Sequence, residues 1–251
     1  MAEYATGPGG VRIAYDAVGT GMPVVLVHGF GASRIQNWKD PGWYQTLTGA
    51  GYRVIAMDCR GHGESDKPHD EAAYDHATMA GDVAAVIAAA GAAPACLLGY
   101  SMGGFIGMHV LMQRPELLVK FAMGGVGGSY FGRAFGSRDA IAEALLTPDK
   151  SSIADPVQRR FREFAEQGGK DRIALAACMR ALRRPFTPEE LHRSTRPVLV
   201  VCGENDDLTG DPGPLAEAFA DGRAVVVPRR DHMTTVGDKV FKEAVLEFFG
   251  S

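Results

Sequence analysis

The feature that most constrains this chain is a set of short apolar runs without alternation. They are VVLVHG at 24–29, RVIAMD at 53–58, ACLLGY at 95–100, VKFAMGG at 119–125, PVLVVCG at 197–203 and RAVVVP at 223–228. Runs this brief are too short for buried helices, and continuous Val, Ile and Leu suit strands covered on both faces. They predict a mostly parallel, twisted sheet. Segments with helical spacing lie between them, at 79–90, 103–113, 214–220 and 240–249. Such alternation predicts an α/β fold with crossover helices packed on both sheet faces. VRIAYDAVG at 11–19 alternates instead and follows Gly9-Gly10, which predicts an antiparallel hairpin at the sheet edge.

The alternation fails once, between 127 and 196. GGSYFGRAF leads there into three expected helices near 139–147, 155–167 and 170–183, with Pro148, Pro156 and Pro185 near their ends. Helices inserted after the sixth strand, at the sheet end where open α/β folds bind ligands, would form a lid. The expected division is therefore a core at 1–126, a helical cap at 127–196 and a second part of the core at 197–251.

Charge and cysteine usage exclude several classes of function. A net charge of −4 with no basic stripe makes nucleic acid an unexpected partner. Cys59, Cys96, Cys178 and Cys202 occur singly and read as reduced packing residues of a cytoplasmic protein. The first residues carry no basic segment followed by an apolar stretch, so no signal peptide is expected. No apolar run reaches the roughly 18 residues that span a bilayer. There is no metal-ligand cluster and no dinucleotide-binding glycine pattern, so no cofactor is expected. Oligomeric state, monomer or homo-oligomer, is not legible.

The chemistry begins at Gly99-Tyr100-Ser101-Met102-Gly103, which follows an expected buried strand and precedes an expected helix. In that context G-x-S-x-G forms a tight strand-to-helix turn that lifts the serine above the sheet edge. The helix start beneath Ser101 offers free N–H groups and partial positive charge to a developing oxyanion. Outside that context the same residues would be a glycine-rich turn.

A serine hydroxyl needs a base to take its proton and a third group to orient that base. His232, in RRDHMTT after the last expected strand, lies at the same sheet edge as Ser101. His109 falls inside the helix after Ser101, His69, His76 and His192 lie in polar stretches, and His28 and His62 suit wall or scaffold roles. The acid candidates sit in GENDDLTGDP after the strand ending near Cys202. Asp206 is favoured, with Asp207 and Asp211 as competitors that could cap helices or turns instead. The expected oxyanion donors are the N–H groups of Met102 and of Phe30, whose flanking glycines let the loop HGFGAS turn an amide inward.

Five segments in order, VVLVHGFG, MDCRGHGESDKP, GYSMGG, VLVVCGENDD and DHMTT, resemble the α/β-hydrolase family over almost the entire chain. The order Ser101, Asp206, His232 matches that family's nucleophile, acid and base. The resemblance implies Ser101 as nucleophile, His232 as general base and then acid, Asp206 as orienting acid, and Phe30 and Met102 as oxyanion donors. It also implies that the 58–65 loop mainly supports the site. Two departures stand out. Asp231 precedes the base where the family often has Gly, which would add negative potential near His232. GGVGGSY after the sixth strand holds no carboxylate, so the acid position used by some relatives is empty.

The serine excludes the dehalogenases and epoxide hydrolases of this fold, which use an aspartate nucleophile. The function expected is hydrolysis of small to medium carboxylic esters through an acyl-enzyme, with a small-molecule ester as partner. Lactonase, thioesterase, C–C bond hydrolase and cofactor-free haloperoxidase or perhydrolase activities stay open, as does a triad-retaining ligand receptor. Phe131 and Phe135, with Phe161, Phe164 and Met179, could line an apolar acyl pocket, although packing is the commoner role for such residues. Trp38, near the oxyanion loop, is the candidate for shaping the alcohol side.

Overall fold

The computed structural model describes residues 2–132 and 137–251. Its strands are β1 (Glu3–Thr6), β2 (Arg12–Val18), β3 (Met22–Val27), β4 (Tyr52–Met57), β5 (Ala95–Tyr100), β6 (Leu118–Gly124), β7 (Val198–Gly203) and β8 (Gly222–Val227). They form one sheet in the order β1-β2-β4-β3-β5-β6-β7-β8. The pairings β1/β2 and β2/β4 are antiparallel, so the hairpin expected after Gly9-Gly10 sits at the sheet edge. All other pairings are parallel.

The apolar runs are continuous because successive side chains serve opposite faces. In β3, Val24 and Leu26 join the cluster under α1 (Trp43–Gly49) and α9 (Lys239–Gly250), which supply Trp43, Leu47, Phe241 and Val245. Val25 and Val27 join the opposite cluster with α2 (His76–Ala89) and α3 (Met102–Gln113). The same division holds for Cys96 and Leu98 against Leu97 in β5, which is buried at every position. β8 differs from expectation. Val225 and Val227 pack on the α9 side while Val226, on the opposite face, is exposed, so this apolar stretch has only one covered face, and β8 has a neighbour on one side only.

Helix ends follow capping rather than periodicity. α2 begins at His76, three residues before its first apolar anchor, because the Asp75 carboxylate accepts the Thr78 N–H at 3.0 Å. Between β6 and β7 the chain forms α4 (Arg138–Leu146), α5 (Pro156–Glu166), α6 (Arg172–Arg180) and α7 (Pro188–Leu191). Ser137, Asp155, Asp171 and Thr187 cap them in turn. α6 stops short of 183 because Ala181 turns extended, four residues before Pro185. α8 (Gly213–Glu217) then links β7 to β8. Among the described residues no helix is long and apolar enough to cross a membrane.

One buried ion pair ties the loop after β4 to α2. The Arg60 guanidinium donates twice to Asp82, at 2.6 Å each, and both side chains are almost fully buried. Burial still pushes the Asp82 carboxyl above its usual range, against the lowering effect of Arg60. Removing one partner strands a buried charge. Asp82→Ala should therefore cost about 3–5 kcal/mol of stability, read as a lower urea midpoint; an unchanged midpoint would show that water reaches Arg60 freely.

Candidate active site

Ser101 sits between β5 and α3 with φ 51° and ψ −112°, a region that L side chains rarely enter. Such a conformation costs about 1–3 kcal/mol and persists only where neighbours enforce it. The Ser101 N–H donates to Gly124 O at 2.8 Å, and Ser101 O accepts from Gly104 N–H at 2.8 Å. The turn is tight enough that a Cβ on Gly103 would lie 2.0 Å from Val27 O. That glycine lets α3 start directly against β3.

The expected acid, base and serine meet. Ser101 Oγ donates to His232 Nε2 at 3.1 Å, and His232 Nδ1 donates to Asp206 Oδ2 at 2.9 Å. The other Asp206 oxygen accepts from the N–H groups of Leu208 and Thr209, at 3.1 and 3.2 Å. Burial would raise the Asp206 carboxyl, but the hydrogen bond and charge of His232, with Thr209, hold it below the usual range. Asp207 is exposed, and Asp211 caps the Gly213 N–H, so neither competitor touches the imidazole. Asp231 binds Thr234 and the Met233 N–H through Oδ1, closing its own turn.

His232 must cross from the β8 end to Ser101 at the β5 end, over β7 and β6. The path is clear because β6 ends in glycine: at Gly125, φ +64°, a Cβ would stand 3.0 Å from His232 Cε1. Tyr100 anchors the base loop by donating its hydroxyl to His232 O at 2.5 Å, a role that its place inside GYSMGG did not announce.

The loop after β3 is held from two sides. Gly29 N–H donates to Asn37 Oδ1 at 2.7 Å, and Gly31 N–H donates to His62 Nε2 at 3.0 Å. Among the described residues neither Phe30 N–H nor Met102 N–H finds an acceptor. Burial pushes His28 and His62 down, His62 to about 3 with help from His28, so both rings are neutral at ordinary pH. Below them the 58–65 loop is fixed by Asp58, which accepts from Arg34 and from Glu64 N–H.

The remaining candidates divide. Trp38 lies in a π-helical turn, Ile35–Lys39, that sends its ring into the core edge-on to Trp43 at 5.7 Å; it is fully buried and presents no surface to a ligand. Its neighbour Asn37, which sequence reasoning passed over, faces the loop instead. Phe131 is partly exposed and stands edge-on to Tyr130 at 5.1 Å. Phe135 lies outside the described residues. Phe161 approaches Phe30 at 5.9 Å, and the Phe164 ring fills the space that a Gly31 Cβ would need.

A serine, an imidazole and a carboxylate thus stand in one hydrogen-bonded line at the carboxyl ends of parallel strands. The chain belongs to the alpha/beta hydrolase family, whose model matches residues 24–242. It is similar over 100% of its length to a solved hydrolase from Pseudomonas aeruginosa, 98% of which is covered, at 26% identity and TM-score 0.83. It is likewise similar to a solved esterase from Exiguobacterium antarcticum, with each chain covered at 100%, 25% identity and TM-score 0.82. A non-heme chloroperoxidase of Kitasatospora aureofaciens is 29% identical over 230 residues, 79% of each chain.

The depressed Asp206 carboxyl contributes stability that is present above the ordinary Asp value of about 3.9 and lost as pH falls toward its lower folded value. The melting temperature of the wild type should thus fall more steeply below about pH 4 than that of Asp206→Asn. Parallel slopes would show that the carboxylate gains nothing on folding.

Proposed function

We propose that the protein is a serine hydrolase that cleaves carboxylic esters of small to medium acyl chains through an acyl-enzyme. The observation that carries this reading is the unbroken line Asp206–His232–Ser101, with two amides, of Phe30 and Met102, that have no acceptor among the described residues. Ser101 Oγ attacks the ester carbonyl carbon while His232 Nε2 takes its proton. The oxygen that becomes negative is held by the N–H groups of Phe30 and Met102. His232 then protonates the departing alcohol. In the second half His232 takes a proton from water, hydroxide attacks the acyl carbon, and Ser101 leaves with its proton restored. Asp206 keeps Nδ1 protonated and stabilises the transient imidazolium.

The segment 127–196 acts as the lid in this proposal. Support comes from Phe161 against Phe30 and Phe164 against Gly31, which lay α5 over the oxyanion loop. Phe161 and Phe131 are the candidates for acyl contact, whereas Trp38 is sealed in the core. Four buried, unpaired cysteines suit a reducing, cytoplasmic setting.

A second reading draws on the chloroperoxidase relative. Hydrogen peroxide replacing water in the second half would attack the same acyl-enzyme and release a peracid and free Ser101. Adding peroxide and a carboxylic acid to the enzyme, and assaying peracid, separates the two.

Steady-state hydrolysis of p-nitrophenyl esters from acetate to long acyl chains tests the main reading. Turnover should be highest on short to medium chains and absent in Ser101→Ala. Asp206→Asn should lower kcat by about 10⁴-fold, whereas Asp207→Asn should leave it nearly unchanged. Full activity in Ser101→Ala would remove the nucleophile from its role.

A further inference from the structure

The loop at 28–31 has its amides apportioned in an uneven way. Those of Gly29 and Gly31 are tied to side chains from outside the loop, Asn37 Oδ1 at 2.7 Å and His62 Nε2 at 3.0 Å. The amide between them, Phe30 N–H, has no acceptor among the described residues. We infer that His62 is a positioning residue for ester hydrolysis, its imidazole holding the Gly31 N–H so that the Phe30 N–H stays free and aimed at the oxyanion. This deepens the esterase reading and rests on it.

The chemistry of the ring makes the assignment specific. Gly31 N–H can donate only to a bare nitrogen, so Nε2 carries no proton and Nδ1 does. That proton has an acceptor, Arg60 O at 2.9 Å. His28 repeats the arrangement beside it, donating from Nδ1 to Gly29 O at 2.8 Å and accepting the Cys59 N–H at Nε2, 3.0 Å. The two rings stand edge to face at 5.1 Å, and Phe30 stands edge-on to His62 at 5.8 Å. His62 is 3% exposed, so no water can take over its acceptor role without a rearrangement. Asn37 fixes the peptide before Phe30 and His62 fixes the peptide after it. The plane between them, which carries the Phe30 N–H, is held at its other end, Gly29 O, by His28 Nδ1–H at 2.8 Å and Ala32 N–H at 3.2 Å, so with its neighbours set it has little freedom to turn.

Two substitutions separate acceptor from shape. His62→Phe keeps a ring between His28 and Phe30 but offers no acceptor; His62→Gln loses the ring but brings an amide oxygen within reach of Gly31. The readouts are kcat and KM for p-nitrophenyl acetate and the second-order rate of Ser101 labelling by an alkyl fluorophosphonate. In labelling, Oγ attacks phosphorus, fluoride leaves, His232 takes the proton, and the phosphoryl oxygen occupies the oxyanion position. His62→Phe should slow labelling and lower kcat by about tenfold to a hundredfold with little change in KM, while His62→Gln stays within about threefold of wild type. Equal rates in His62→Phe and wild type, or His62→Gln as slow as His62→Phe, would overturn the inference. A wild type that labels normally yet hydrolyses no ester would remove the esterase reading alone, since labelling still reports on His62. If neither variant folds, ¹⁵N NMR of the wild-type imidazole decides: a bare Nε2 and protonated Nδ1 at neutral pH support the role, and the opposite tautomer refutes it.

Discussion

The structure depends on how closely the start of α3 approaches β3 and β5. Gly103 touches the Val27 carbonyl with no room for a Cβ, and Ser101 is bent to positive φ in consequence. A local cost of about 1–3 kcal/mol is carried there because the flanking elements are themselves rigid. β5 is buried at every position, and α3 is buried along most of its length. Loosening that contact would let the serine relax into an ordinary helical or extended conformation, and its hydroxyl would then drop out of line with His232. The alignment of Ser101 with His232 is therefore a property of core packing as much as of the serine side chain itself.

Strand order does the rest of the placing. β3 and β5 are neighbours, so the loop carrying Phe30 and the turn carrying Ser101 open side by side. β4 and β6 lie outside that pair, and the crevice between connections running to opposite sides is where open α/β sheets bind ligands. Asp206 and His232 come from the ends of the far strands β7 and β8, and His232 has the longer reach. Gly125, just after β6, resolves this by leaving His232 the space a Cβ would take, while Tyr100 holds the His232 loop by its main chain. In the GGVGGSY stretch, which holds no carboxylate, Gly125 thus has a positive use as open space.

Sequence reading succeeds where one residue type can do one job. The buried strands are legible because only continuous apolar runs satisfy two covered faces, and the meeting of Ser101 with His232 is legible because strand ends bring them to one edge. It fails where long-range geometry decides. The edge position of β8 is invisible, since Val, Val, Val reads the same beside one neighbour or two. The inward setting of Trp38 is not legible because proximity along the chain to the 28–31 loop says nothing about the phase of a π-helical turn. That turn rotates Trp38 inward to Trp43 and gives Asn37 the position facing Gly29. Asp206 could be ranked above Asp207 but not separated from it, because the difference lies in one residue of turn geometry: Asp206 is buried beneath His232 and Asp207 points to solvent.

The loop proposed to hold an amide fixed carries two glycines around Phe30, and that role needs something outside the loop to supply stiffness. Here the stiffness descends through three layers. His62 and Asn37 bind the loop, and the 58–65 segment carries His62. That segment is pinned by Asp58, wholly buried, against Arg34, and by Arg60 against Asp82. Buried ion pairs of this kind add little net stability compared with apolar replacements. They are directional, however, and an apolar contact is not. Hydrophobic side chains in the same volume would keep the loop covered but would leave its amides free to turn. Polar groups buried at a cost beneath the site are what an oxyanion donor requires, because its contribution to the transition state depends on being aimed before the charge appears.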